Sequence, residues 1–168
     1  MRIDVTKSRE LQAAIFAIRS LDKTIQKLVR QHTKRIAAPE WSKALHRKAS
    51  TALERTVLAN TSVVTVTNQN VRAQSASKGR PLSGGLNPKT DWPGVEFGAT
   101  AQDATYTRVS PKGTRHRVTR KTGTQLRRRN REGYVFYPAA REMVPRLASL
   151  WVQTIVKTIG NAIEGKQE

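Results

Sequence analysis

Residues 104–131 carry ten basic side chains and no acid: Arg108, Lys112, Arg115, Arg117, Arg120, Lys121, Arg127, Arg128, Arg129 and Arg131. Like charges at this density repel, so the stretch belongs outside any core and would be disordered if nothing held it. It is flanked by two apolar segments, 94–98 and 133–141. The formal net charge is +19, and this stretch supplies +10 of it, against +8 for residues 1–60, +1 for 61–103 and zero for 132–168. A small folded frame carrying one long cationic arm is the expected architecture.

The remaining bounds are simple. A chain of 168 residues, 37% hydrophobic and 26% charged, is globular in composition and long enough to bury a core as one domain. With no cysteine it forms neither disulfides nor thiolate metal sites and suits a reducing cytosol. No apolar run approaches the ~20 residues of a membrane span. The first residues lack the charged-then-apolar layout of a signal peptide, so a cytosolic product is expected. The basic excess invites a polyanionic partner, either nucleic acid or an acidic protein surface.

Taken in order, residues 7–37 predict a long helix, with Leu11, Ala14, Ile15, Ile18, Leu21, Ile25, Leu28, Val29 and Ile36 on one face. Pro39 is expected to stop it and to open a second helix over 39–59, ended by Asn60. From Ser62 the period becomes two: 63–67 and 71–75 predict strands joined by a turn at 68–70. Residues 77–93 hold Gly79, Pro81, Gly84, Gly85, Pro88 and Pro93 and predict a loop. Further strands are expected at 95–97, 105–109, 116–120 and 134–137. The 116–120 strand would pair back across Ser110-Pro111-Lys112-Gly113 as a projecting basic hairpin. A helix over about 140–163, interrupted near its start by Pro145, closes the chain. The expected fold class is α+β: two N-terminal helices and a C-terminal helix on a small antiparallel sheet. The single domain, 1–168, divides into a helical pair (1–60), strands and loop (61–103), basic insertion arm (104–132) and short strand with C-terminal helix (133–168).

Little in the chain points to catalysis. His32, His46 and His116 have no partner at metal-ligand spacing. Glu96, set in an apolar strand, is expected to face solvent or pair with an arginine. An active site would need Glu96, Asp91 and Asp103 to converge. The 79–85 segment is rich in glycine but lacks the Gly-Lys-Ser/Thr ending of a phosphate loop and reads as a connector. No catalytic residue, metal or cofactor is expected, and the chain does not read as an enzyme.

The arm supports two kinds of partner. Ten cations each neutralising a phosphate would give a log–log salt slope of about −9 on duplex. Tyr106 is its sole aromatic, so it is a poor stacking platform, and any nucleic-acid contact would be to the backbone and sequence-blind. Alternatively, Arg127, Arg128 and Arg129 could fork onto the carboxylates of acidic partner subunits.

Two helices, a hairpin, the Ser83-Gly84-Gly85-Leu86 loop, then Val95-Glu96-Phe97-Gly98 and finally Pro138-Ala139 opening the last helix form a recognisable order. In it the chain resembles the tail-completion or head-to-tail connector proteins of long-tailed bacteriophages. Ala99 stands where that family usually has Thr, Tyr137 where it often has Arg, and the basic stretch is an enlarged insertion. The resemblance implies a non-enzymatic ring in the virion neck, assembled in the host cytoplasm, six-fold or twelve-fold. Its partners would be itself, the adjoining adaptor, stopper, terminator or tube proteins, and genomic DNA by backbone contact. The alternative is a sequence-independent nucleic-acid-binding protein.

Overall fold

A computed structural model describes residues 2–4 and 9–164. Lys7 and Ser8, expected to begin the first helix, lie outside the described residues, as do the side chains of Leu11, Ala162 and Ile163. The fold is α+β. Strand β1 (Arg2–Asp4) precedes helices α1 (Arg9–Ser20) and α2 (Lys23–Lys48), with a short α3 (Ala52–Glu54) running into a π-helical turn (Arg55–Ala59). Strands β2 (Val63–Val66) and β3 (Val71–Gln74) follow, then α4 (Pro88–Phe97), β4 (Gln102–Val109), β5 (Arg115–Thr122) and α5 (Phe136–Ile163).

The first expected helix is two helices. Asp22 has extended backbone, and its carboxylate accepts a hydrogen bond from the Thr24 N–H at 3.0 Å, capping α2. Pro39 does not end α2, which runs through it to Lys48. An interior proline forfeits one hydrogen bond and costs about 3 kcal/mol in an exposed helix. Here Pro39 is exposed while Ala37, Trp41, Ala44 and Leu45 on either side of it are buried, and their burial outweighs the local loss. Pro145, also exposed, is likewise absorbed within an unbroken α5 between buried Met143 and Leu147. The expected second helix ends early. Ala49 leaves helical geometry, and a capping box between Thr51 and Glu54 restarts the chain as α3. Its π turn closes with the Asn60 N–H on the Arg55 carbonyl at 2.8 Å, so Asn60 terminates it as expected.

The core lies between α2 and α5, with the sheet on one side. Trp41 and Phe136 meet edge to face with ring centroids 5.4 Å apart, and the Trp41 indole N–H donates to the Gln74 carbonyl at 2.9 Å. The three-stranded antiparallel sheet has the order β1-β3-β2, with Ile3 and Val64 both opposite Ala73. Its β2–β3 hairpin is where the alternating pattern predicts it; β1 is an addition that the sequence reading lacks.

Two expected strands are helices. Residues 95–97 form the end of α4, which starts with Asn87 accepting from the Lys89 N–H at 3.0 Å and Pro88 at the first helical position. Residues 134–137 enter α5, whose first residue is Phe136. Both differences have the same cause: Glu96 and the start of α5 satisfy one another. The hairpin expected in the arm is present as the separate β4–β5 sheet.

Candidate interaction ribbon and its foot

The turn that makes the ribbon is local. Ser110 N–H donates to the Thr114 carbonyl and Gly113 N–H to the Ser110 carbonyl, both at 2.9 Å, with Gly113 at φ 79°. Eight-residue strands then pair from Val109 with Arg115 down to Gln102 with Thr122, a ribbon about 27 Å long at ~3.4 Å per residue. The two strands make their main contacts with each other, and nearly every side chain on them is exposed.

Alternation assigns the charges to faces. Arg108, His116 and Arg120 share one face with Tyr106 and its cross-strand partner Val118. Arg115, Arg117 and Lys121 lie on the other, with Thr105 and Thr119 hydrogen-bonded through their hydroxyls at 3.0 Å. Lys112 is in the turn, and Asp103, opposite Lys121, is the ribbon's one acid. Both faces are therefore cationic.

The four remaining arm cations lie on the return segment, and the structure separates one from the other three. The Arg127 guanidinium is 3.2 Å from the Glu54 carboxylate and 3.0 Å from the Ser50 hydroxyl, and it stacks 3.7 Å above the Tyr134 ring centre. It is committed within the chain. Burial pushes the Glu54 carboxyl up, but the Thr51 and Ser50 N–H groups, Arg127 and the Ser50 hydroxyl outweigh that and hold it below its ordinary value. Sequence alone could not single out Arg127 among its neighbours, because Glu54 is 73 residues away.

Arg128, Arg129 and Arg131 have no carboxylate partner among the described residues. Their backbone is nevertheless fixed. Ala99 N–H donates to the Arg127 carbonyl (2.9 Å), Asn130 N–H to the Phe97 carbonyl (2.7 Å), and the Tyr134 hydroxyl to the Arg128 carbonyl (2.7 Å). Two open clefts of about 770 and 710 Å³ flank this segment at the foot of the ribbon. Arg129 and Arg131 border both, Arg128 and Gly123 the second, and Asn130 and Gln102 the first.

The foot is joined to the frame by residues 95–98 and the start of α5. Glu96 is fully buried, neither solvent-facing nor paired with an arginine. Its carboxylate accepts from the N–H groups of Val135 (3.2 Å), Phe136 (2.9 Å) and Tyr137 (3.1 Å). A helix start leaves four N–H groups without partners. Here one carboxylate takes three, Pro138 eliminates the fourth, and the ladder begins with Ala139 N–H on the Val135 carbonyl. Val95 and Ala139 are buried on either side of the joint, and Phe97 stacks on Tyr137 with ring centres 5.5 Å apart. Burial pushes the Glu96 carboxyl up, and the N–H groups of Phe136, Tyr137, Val135 and Tyr134 offset this only in part. Gly98, at φ 69°, passes so close to the Arg127 and Arg128 carbonyls that a β-carbon would collide with both.

The acids considered for catalysis have separate duties. Asp91 accepts from the Asn87 N–H and the Thr90 hydroxyl, Asp103 is on the ribbon, and Glu96 is saturated by α5. Among the described residues no three His, Cys, Asp or Glu gather as a metal site, and no helix is long and apolar enough to cross a membrane. No family model matches the chain, and neither a curated protein nor a solved structure is similar to it.

Proposed function

We propose that the chain is a structural subunit of a bacteriophage neck. In this reading it forms a six-fold or twelve-fold ring that joins the portal side of the head to the tail and lets the genome pass. The observation that carries it is the ribbon, held out from a helical frame, whose strands among the described residues pack mainly on each other. A two-stranded ribbon is marginal by itself in water, so its stable form is a docked one. The resemblance adds support at one place. Val95-Glu96-Phe97-Gly98 and Pro138-Ala139, far apart in sequence, build a single joint at the foot of that ribbon. The frame would make the ring contacts, and the ribbon would reach a component of another kind, either an adjoining neck or tail protein or the genome.

Reversing Arg128, Arg129 and Arg131 together to Glu tests the role, because among the described residues those three side chains have no carboxylate partner while Arg127 has Glu54. The expected result is a folded subunit whose particles lack attached tails. Normally tailed particles from that variant would refute the neck role.

A further inference from the structure

We infer that the ribbon and its foot bind double-stranded nucleic acid, with the ribbon lying in a groove and Arg128, Arg129 and Arg131 on the flanking phosphates. The partner named rests on reading the ribbon as a docking limb, and not on the ring.

A second copy of the chain is a poor occupant. Among the described residues no three of its acids gather closely enough to share an ion, and three glutamates at its surface already have cations of their own: Glu40 has Lys43 at 3.1 Å, Glu132 has Arg141 at 2.6 Å, and Glu142 has Arg47 at 3.1 Å. The occupant is therefore an anionic molecule of another kind.

The distribution of charge chooses between the anionic classes. An acidic protein surface would meet one face of a ribbon, and the other face would then need no cations. Here Arg108 and Arg120 project on one face, Arg115, Arg117 and Lys121 on the other, and Lys112 sits at the tip. A groove in duplex has phosphates along both walls, so both faces find a counter-charge. The dimensions agree: a major groove ~12 Å wide admits a two-stranded ribbon. The uncharged side chains among the cations are mainly Thr105, Thr107, Thr119 and Val118, and Gln102 at the foot end is the ribbon's one forked amide, so contacts to the phosphates and to groove shape dominate the binding. At the foot, the pinned backbone of 127–130 presents Arg129 and Arg131 into clefts open enough for a sugar–phosphate strand. Nine cations are available: six on the ribbon and three at the foot.

The test is fluorescence-anisotropy titration of the full chain with a random-sequence 20-base-pair duplex, across a salt series. Engagement of all nine predicts a log–log slope of about −8, and Arg129→Ala with Arg131→Ala reduces its magnitude by about 2 at unchanged thermal midpoint. Arg117→Ala and Arg120→Ala, from opposite faces, each reduce it by about 1. Affinity for duplex above that for the matching single strand supports the groove. Equal or tighter binding to the single strand overturns it, as does tighter binding to poly-glutamate, which points instead to an acidic protein. Unchanged slopes in the variants also overturn it. Because the assay uses unassembled chain, failure here leaves the neck role standing, and tailless particles cannot by themselves rescue the duplex.

Discussion

The carboxylate of Glu96 lies 2.9 Å from the backbone nitrogen of Phe136, forty residues further on, and it caps α5 from another helix. An end cap normally comes from the residue just before the helix. Val135 occupies that place and has no side-chain acceptor, so α5 borrows one from α4. Removing it strands three N–H groups, those of Val135 and Phe136 fully buried and that of Tyr137 partly so. Glu96→Ala is expected to cost about 3–5 kcal/mol and Glu96→Gln about 2, since the amide keeps one acceptor oxygen. Urea unfolding measures both; a loss below 1 kcal/mol for the alanine would mean that water replaces the carboxylate freely.

The return segment approaches Gly98 too closely for any side chain. With φ 69° and ψ −174°, Gly98 is in a region that only glycine occupies comfortably, and its α-carbon faces the Arg127 and Arg128 carbonyls. Gly98→Ala should destabilise by about 3 kcal/mol or more, from backbone strain plus collision. Gly113→Ala, also at positive φ but in open space, should cost only about 1 kcal/mol. Equal thermal shifts for the two would show that collision at the foot contributes nothing.

The same pair of segments explains what the sequence revealed and what it concealed. Both hairpins were legible, because alternation and turn chemistry at 68–70 and 110–113 act within a few residues. Val95, Phe97 and the aromatic run at 134–137 have strand-like composition, yet Val95 and Phe97 end α4 and Phe136 and Tyr137 begin α5, because Glu96 and the α5 start need each other across forty residues. Pro39 reads as a stop and Pro145 as an interruption, and burial of their helical neighbours overrides both. The end of α1 was readable in principle, from Asp22 two residues before Thr24. Arg127 was not, since its chemistry is identical to that of Arg128 and only a distant partner distinguishes it.

Glu54 and Glu96 should respond to acid in opposite directions. Glu54 has a folded value below the ordinary 4.5, so its contribution is complete above 4.5 and is lost as pH falls through the lowered value. Glu96 has a folded value above 4.5, so its contribution is greatest on the acid side and declines as pH rises through the raised value. Relative to wild type, the penalty of Glu54→Gln should therefore shrink below pH 4.5, while that of Glu96→Gln should grow as pH is lowered towards 4.5 from neutrality. Thermal midpoints across a pH series read both; parallel curves would contradict the assignment of opposite shifts.

Arg127 and Arg128 are adjacent and identical, and their charge reversals should separate folding from binding. Arg127 is 41% exposed and Glu54 only 2%, so solvent screens one side of the bridge while the carboxylate depends on its partners. Arg127→Glu places a second carboxylate against Glu54 and removes the cation from the Tyr134 ring. A loss of about 2–3 kcal/mol is expected, below the 3–5 of a fully buried pair because of that exposure. Arg128→Glu removes no internal partner, and its stability should stay within about 0.5 kcal/mol of wild type. Its effect should fall on duplex binding and tail attachment instead. Chemical denaturation alongside a binding titration distinguishes the two, and an Arg128 variant as unstable as the Arg127 variant would show that the foot arginines are part of the fold rather than offered to a partner.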